Sequence, residues 1–266
     1  MTTKTRIKFF CRSFNKELYL LSRGLYEQAG YPCVRLTDQA ADNYFYKMLE
    51  DEECDIAINV DEDCFITDLD AVLALATRVE KEKWINAGCS DAGVGVPRNG
   101  DPVVTNPFFN IFNLHEIRKS WNAYRLLPEL KKDAYKGIEP YYNFFYWMVE
   151  TFPNRTLYLD NTRHADTITT QLYSNQQLLC LHTWFARLFK VSVFTRLFEG
   201  NDRKDVNHQL RINTIINSAY QIRGIKRPVF GPLERIGFTI DEMIRWSIKV
   251  PQRVANWPKK LKRRFL

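Results

Sequence analysis

The chain has 266 residues, 45% hydrophobic and 14% aromatic, which suits one larger domain, or one domain plus an appendage, with a sizeable core. That composition excludes a disordered chain, and the six cysteines form no C-x-x-C pair, so a zinc or thioredoxin-like centre has no support. The net charge of +7 resides in residues 247–266, where Lys249, Arg253, Lys259, Lys260, Lys262, Arg263 and Arg264 occur without an acid. The remainder is neutral overall, so no nucleic-acid partner is expected. No apolar run is long enough to span a bilayer, and the first residues lack a signal-peptide core, which predicts a cytoplasmic protein.

In chain order, Ile7–Arg12 begins with β-formers and predicts a first strand. Leu18, Leu20, Leu21, Leu25 and Tyr26 recur at helical spacing over 15–29, with Gly30 as the stop. Residues 33–37 form a second expected strand and 40–50 a second helix. Ile56–Val60 is an apolar, β-branched run of strand length, suited to burial on both faces. The order β-α-β-α-β predicts the start of a doubly wound sheet. Thr67-Asp68-Leu69-Asp70 resembles a capping box opening a helix to about Lys81. Residues 84–90 read as a strand. The turn-forming run 91–102 reads either as a surface loop or as a substrate loop, followed by a strand near 106–110 and a helix from about Leu114. The aromatic run 137–151 reads as a helix with Pro140 in its first turn. Residues 157–160 suggest a short strand, 161–175 a polar loop, and 178–182 an apolar strand ending at His182. Helical spacing dominates from 190. Thr239-Ile240-Asp241-Glu242 reads as a capping box opening a helix that Pro251 ends.

The chemistry concentrates where the third strand ends. Asp61 and Asp63 leave it together, at the sheet edge where open α/β folds bind ligands. Two carboxylates so spaced suit a hard divalent cation, which can in turn hold a diphosphate. An EF-hand is excluded, since its sixth position needs glycine and here is Ile66. The strand with Asp61-Glu62-Asp63 resembles the Asp-x-Asp motif of GT-A-type glycosyltransferases. The run Leu181-His182-Thr183-Trp184-Phe185-Ala186-Arg187 looks like a late segment of many bacterial members. This resemblance covers roughly residues 5–190.

The resemblance implies an α/β fold, a GT-A-like Rossmann-type mixed sheet flanked by helices over 1–190, with a helical extension over 191–266. It implies Mn2+ or Mg2+ on Asp61, Asp63 and His182, and a nucleotide-diphosphate sugar as donor. Arg12, Thr37 and Asp38, at the ends of the first two strands, would hold the nucleotide, and Arg187 would offset diphosphate charge. Glu139, at a helix start, would be the base that deprotonates an acceptor hydroxyl, with Asp166 in reserve. The plain alternative for Glu139 is a carboxylate favoured by the helix's positive end. The implied acceptor is a glycan or lipid-linked glycan of bacterial surface polysaccharide, made at the inner face of the cytoplasmic membrane. Trp257, Leu261, Phe265 and Leu266 among the basic residues of 250–266 suit an anionic membrane surface. The alternatives are a haloacid-dehalogenase-like phosphatase, which also begins with strand-Asp-x-Asp, and a non-catalytic membrane- or RNA-binding protein.

Overall fold

The computed structural model describes residues 5–37, 43–93, 100–125, 141–186, 189, 204–245 and 247. Its larger sheet has the order β2-β1-β3-β6-β5-β7. These strands are β1 (Ile7–Arg12), β2 (Cys33–Leu36), β3 (Ile56–Val60), β5 (Asn86–Ser90), β6 (Thr105–Asn113) and β7 (Thr156–Tyr158). A smaller sheet has the order β4-β10-β9-β8, from β4 (Cys64–Ile66), β8 (Asp160–Arg163), β9 (Thr170–Ser174) and β10 (Gln177–His182). The larger sheet is mixed, since β1 pairs in parallel with β2 and β3 while β6 runs antiparallel to both β3 and β5.

Alternation along the strands creates two apolar layers. Phe9, Ile56, Ile58 and Val60 face one side, with α1 (Lys16–Arg23), α3 (Leu69–Lys81) and the smaller sheet. Phe10, Ala57 and Phe112 face the other, with α2 (Asn43–Glu50), α4 (Leu114–Arg125) and α5 (Tyr142–Thr151). That second layer is largely aromatic: Phe45 stacks on Phe144 at 4.8 Å and meets Phe112 and Phe145 edge-on. The C-terminal α6 (Lys204–Ile222) adds Ile212, Ile215, Ile216 and Tyr220 to the first layer. Tyr220 donates to the Leu21 carbonyl at 2.7 Å, and its hydroxyl lies where a Cβ on Gly24 would stand.

Several expectations are corrected. The first helix ends at Arg23 and a short 3-10 turn, Glu27–Ala29, precedes Gly30, which takes φ 73°. The cap of α3 is Asp68, which accepts from Ala71 N, whereas Thr67 is drawn away to donate to the Leu178 carbonyl. The expected polar loop 161–175 is instead the β8–β9 hairpin. Its polar side chains suit a sheet with one solvated face, β8 being the edge strand, and only Thr170 and Leu172 of β9 turn inward. Asn175 and Gln176, at φ 48° and 66°, then make the tight turn into β10. No capping box exists at Thr239, because the C-terminal helix spans 232–245 and the Thr239 hydroxyl donates to the Arg235 carbonyl within it. The sequence pattern also missed β4, too short to show any periodicity.

Candidate active site

The order β2-β1-β3 has a reversal: the chain leaves β1 toward one edge for β2, then returns past β1 to β3. The two connecting helices consequently lie on opposite faces, α1 in one apolar layer and α2 in the other. Such a switch point opens a crevice outside the C-terminal ends of the two central strands. Arg12 ends β1, and Asp61 follows β3 directly. With Phe10 aligned to Asn59, the register brings Arg12 level with Asp61. The guanidinium grips both Asp61 oxygens, Nε–Oδ1 at 2.6 Å and Nη2–Oδ2 at 2.5 Å, and lies 5.3 Å from the Tyr44 ring.

The turn Asp61-Glu62-Asp63 carries the chain from β3 in the larger sheet to β4 in the smaller one. Its backbone is pinned on both sides, by Asp61 N to the Phe108 carbonyl at 2.8 Å and Glu62 N to the Arg12 carbonyl at 3.1 Å. Antiparallel pairing of β4 with β10 sets Cys64 opposite His182. That register places His182 Nε2 3.2 Å from Asp63 Oδ1, although 119 residues of chain separate them by their numbering. Thr183 N donates to the Asp63 carbonyl at 2.9 Å and completes the junction. The imidazole is stacked on Phe108, with ring centres 4.3 Å apart, and lies 4.4 Å from Trp184. Trp184 and Phe185 follow at φ 59° and 61°, a left-handed backbone that bulky side chains rarely adopt. Strain of this kind persists only where surrounding structure enforces it, and it commonly marks functional sites.

Asp61, Asp63 and His182 each offer a ligand atom within 4.8 Å of the others, and all three are buried. Two carboxylates and an imidazole suit a manganese-like or magnesium-like ion. His182 Nδ1 is buried without a hydrogen-bond partner, which leaves it free to bond an additional group. The donor set therefore fits a divalent cation. Electrostatics separates the two aspartates. Burial raises the Asp61 carboxyl, Arg12 opposes that, and the nearby Asp63 adds to it, for a net rise. Burial also raises Asp63, but the charge and hydrogen bond of His182 outweigh it, and the carboxyl lies below its usual value.

Glu62, between them, points elsewhere. Its Oε2 accepts from Phe14 N at 2.9 Å and Asn15 N at 2.7 Å, the loop that opens α1. Burial pushes its pKa up to about 8 against those N–H groups. A helix start at a switch point commonly receives a phosphate. Here an internal carboxylate, Glu62, is bonded to the N–H groups just before that helix.

The remaining sequence candidates scatter. Thr37 lies just past β2 and is exposed. Asp38, Glu139, Arg187 and residues 250–266 lie outside the described residues. Asp166 caps the β8–β9 turn: its carboxylate accepts from Ile168 N, Thr169 N and the Thr169 hydroxyl, with Arg211 at 3.4 Å. Burial raises it, but these bonds and Arg211 hold it below the usual value. Pattern reading missed three partners. Glu62 sits in a turn between two strands, where no periodicity of the sequence announces which way it points. Arg211, on α6, ties the helix to the β8–β9 turn and to the Trp184 carbonyl; nothing local in the sequence announces it. Asp91, fully buried at the end of β5, accepts from Asn106 Nδ2 at 2.5 Å and from the Tyr142 hydroxyl. With Tyr146 on Asp101, this anchors both described ends of the 91–102 loop to neighbouring elements.

No protein-family model matches the chain, and no curated protein matches it by sequence. Among solved structures it is similar to a glycosyltransferase involved in the glycosylation of the major capsid of PBCV-1. That match has 12% identity over 58% of this chain and 81% of the other, with a TM-score of 0.39. It is also similar to A197 from STIV, at 16% identity over 66% of this chain and 94% of that one, TM-score 0.41. The glycosyltransferase GlyE of Streptococcus pneumoniae TIGR4 matches at 12% identity over 86% of this chain and 66% of its own, TM-score 0.42. Similarity at this level assigns no activity, so what this chain does must be read from its own residues.

Proposed function

We propose that the protein is a metal-dependent glycosyltransferase, moving a sugar from a nucleotide-diphosphate donor to an acceptor hydroxyl. The observation that carries this reading is the buried Asp61–Asp63–His182 cluster at the switch point between β1 and β3. A divalent cation held there would supply charge to stabilise a departing nucleoside diphosphate. The chain's own residues support that role. Arg12 fixes the Asp61 carboxylate in orientation, and His182 does the same for Asp63. Phe108 and Trp184 hold the imidazole and keep water from one side of it. Neutralising the diphosphate falls to the cation and to nearby basic side chains, with Arg187 as the proposed one. The nucleotide would lie along the ends of β1 and β2, beside Thr37 and Asp38. Glu139 is the proposed base for the acceptor. Surface polysaccharide or another glycan is the acceptor class this reading favours.

The test is thermal-shift titration with UDP, GDP, dTDP and CMP sugars, with and without Mn2+. Stabilisation by one of them, dependent on metal and lost in folded Asp63→Asn, is expected. Folded protein that responds to none of them with metal present, or that hydrolyses simple phosphomonoesters instead, overturns the assignment.

A further inference from the structure

The C-terminal helix over 232–245 differs from an ordinary surface helix in leaving an apolar stripe exposed. Such helices bury an apolar stripe and show a polar face to water. Here Asp241 and Arg245 face the protein, while Glu234, Arg235 and Thr239 stand exposed beside an apolar stripe. Arg35, on β2, grips Asp241 through Nη1–Oδ1 at 2.7 Å and Nη2–Oδ2 at 3.1 Å, and Arg245 adds a bond to the same carboxylate at 3.1 Å. Phe238 meets Phe230 edge-on on the same inner side. Outward stand Leu233, Ile236, Ile240, Met243 and Ile244, at 82%, 56%, 50%, 47% and 56% exposure. Their spacing of three, four, three and one places them along one continuous stripe. Val229, 84% exposed, precedes it. Before α6, the large apolar side chains that stand exposed among the described residues are the scattered Phe14, Val103 and Tyr158. Single exposed apolar residues are ordinary, but a continuous stripe marks an interaction surface.

We propose that this stripe lies on an anionic lipid surface, with the helix parallel to the membrane plane. Charge complementarity selects that occupant. The stripe leads directly into residues 247–266, which carry all of the chain's net positive charge and no acid. Apolar area on one helix face with adjacent Lys and Arg is the pattern of helices that sit at the headgroup boundary of anionic bilayers. A second copy of the same chain would bring like charge to like charge. Among the described residues no helix is long and apolar enough to cross a membrane, so the contact is one of lying on the surface. Arg35 also donates to Ser13 Oγ at 2.9 Å, in the loop whose next two N–H groups hold Glu62. The docking face is thus tied to the loop beside the acidic corner.

The test is flotation of the full chain with phosphatidylcholine vesicles, with and without phosphatidylglycerol. It is read beside the variant Ile236→Ser with Ile240→Ser and Ile244→Ser. These positions are exposed, so melting should not change. The wild type is expected to float with the anionic vesicles and the variant to lose binding by roughly tenfold. A variant that floats like the wild type, or a wild type that stays with neither vesicle, overturns the proposal. So does a wild type that elutes as a dimer while the variant elutes as a monomer, since a second copy would then cover the stripe. Flotation measures no sugar transfer, so it stands apart from the fate of the catalytic reading.

Discussion

The acidic corner and the C-terminal helix handle polarity in opposite ways. At the corner, Asp61, Glu62, Asp63 and His182 are withdrawn from water, and each is gripped by a named group: Arg12, the Phe14 and Asn15 amides, or one another. Along the helix, Asp241 turns inward and is held by Arg35 and Arg245, while an apolar stripe faces water. Among the described residues the side chains of this corner are paired within the chain, apart from His182 Nδ1, and the three of them that could hold a cation lie together. The second is satisfied only on its inner side, and its outer side calls for a partner of another kind. Internal polar pairing therefore points to chemistry, and external apolar area points to attachment.

The largest expected effect tests the corner. Asp63→Asn should lower transfer by about 10³-fold while the protein still melts cooperatively, measured by product formation with Mn2+ and the responsive nucleotide sugar. Near-normal turnover would detach the chemistry from this corner. Next comes the framework that holds it. Phe45→Ala removes a ring from the stacked and edge-on cluster and should cost about 3–5 kcal/mol in denaturant unfolding. Arg12→Ala leaves Asp61 buried beside Asp63 without its cation and should cost about 3 kcal/mol. Mn2+ should restore part of that loss; no recovery with metal would argue that Asp61 does not meet it.

The smallest effect belongs to the helix. Asp241→Asn should cost about 1–2 kcal/mol, seen as faster amide exchange over 232–245 with the sheet unaffected. Its pH dependence has a definite sign. Burial raises the Asp241 carboxyl, but the Arg35 hydrogen bond and the charges of Arg35 and Arg245 hold it below its ordinary 3.8. The clamp therefore contributes fully above that value and is lost as pH falls through the folded value. Amide protection over the helix, taken relative to the intrinsic exchange rate at each pH, should fall toward pH 3 before that of the sheet; simultaneous loss would show that the helix is not separately held.

Much of the corner was legible early, because its signals are local. Ile56–Val60 is apolar in an unbroken run, and two aspartates follow within three positions, so strand and carboxylates could be read together. His182 was legible as a strand end. The hairpin at 160–174 was hidden because β8 is an edge strand and both strands keep polar side chains, so its composition imitates a loop. Asp166 reads in the sequence as a carboxylate in a polar loop, whereas the structure shows it capping the β8–β9 turn, a position that suits Asp.

Local pattern decided where strands and helices form, because burial on one face or two writes a period into the chain. It also decided which residue types stand at each strand end. Which of those ends meet was decided only by tertiary pairing. The parallel register of β1 with β3 sets Arg12 on Asp61, and the antiparallel register of β4 with β10 sets His182 on Asp63. A one-residue slip in either would send these side chains to the opposite face. The exposed face of the C-terminal helix has the same origin. Ile240, Met243 and Ile244 stand at helical spacing in the sequence, but that the Asp241 side meets the protein is decided by its pairing with Arg35 of β2, a partner too distant in the chain to leave a local pattern.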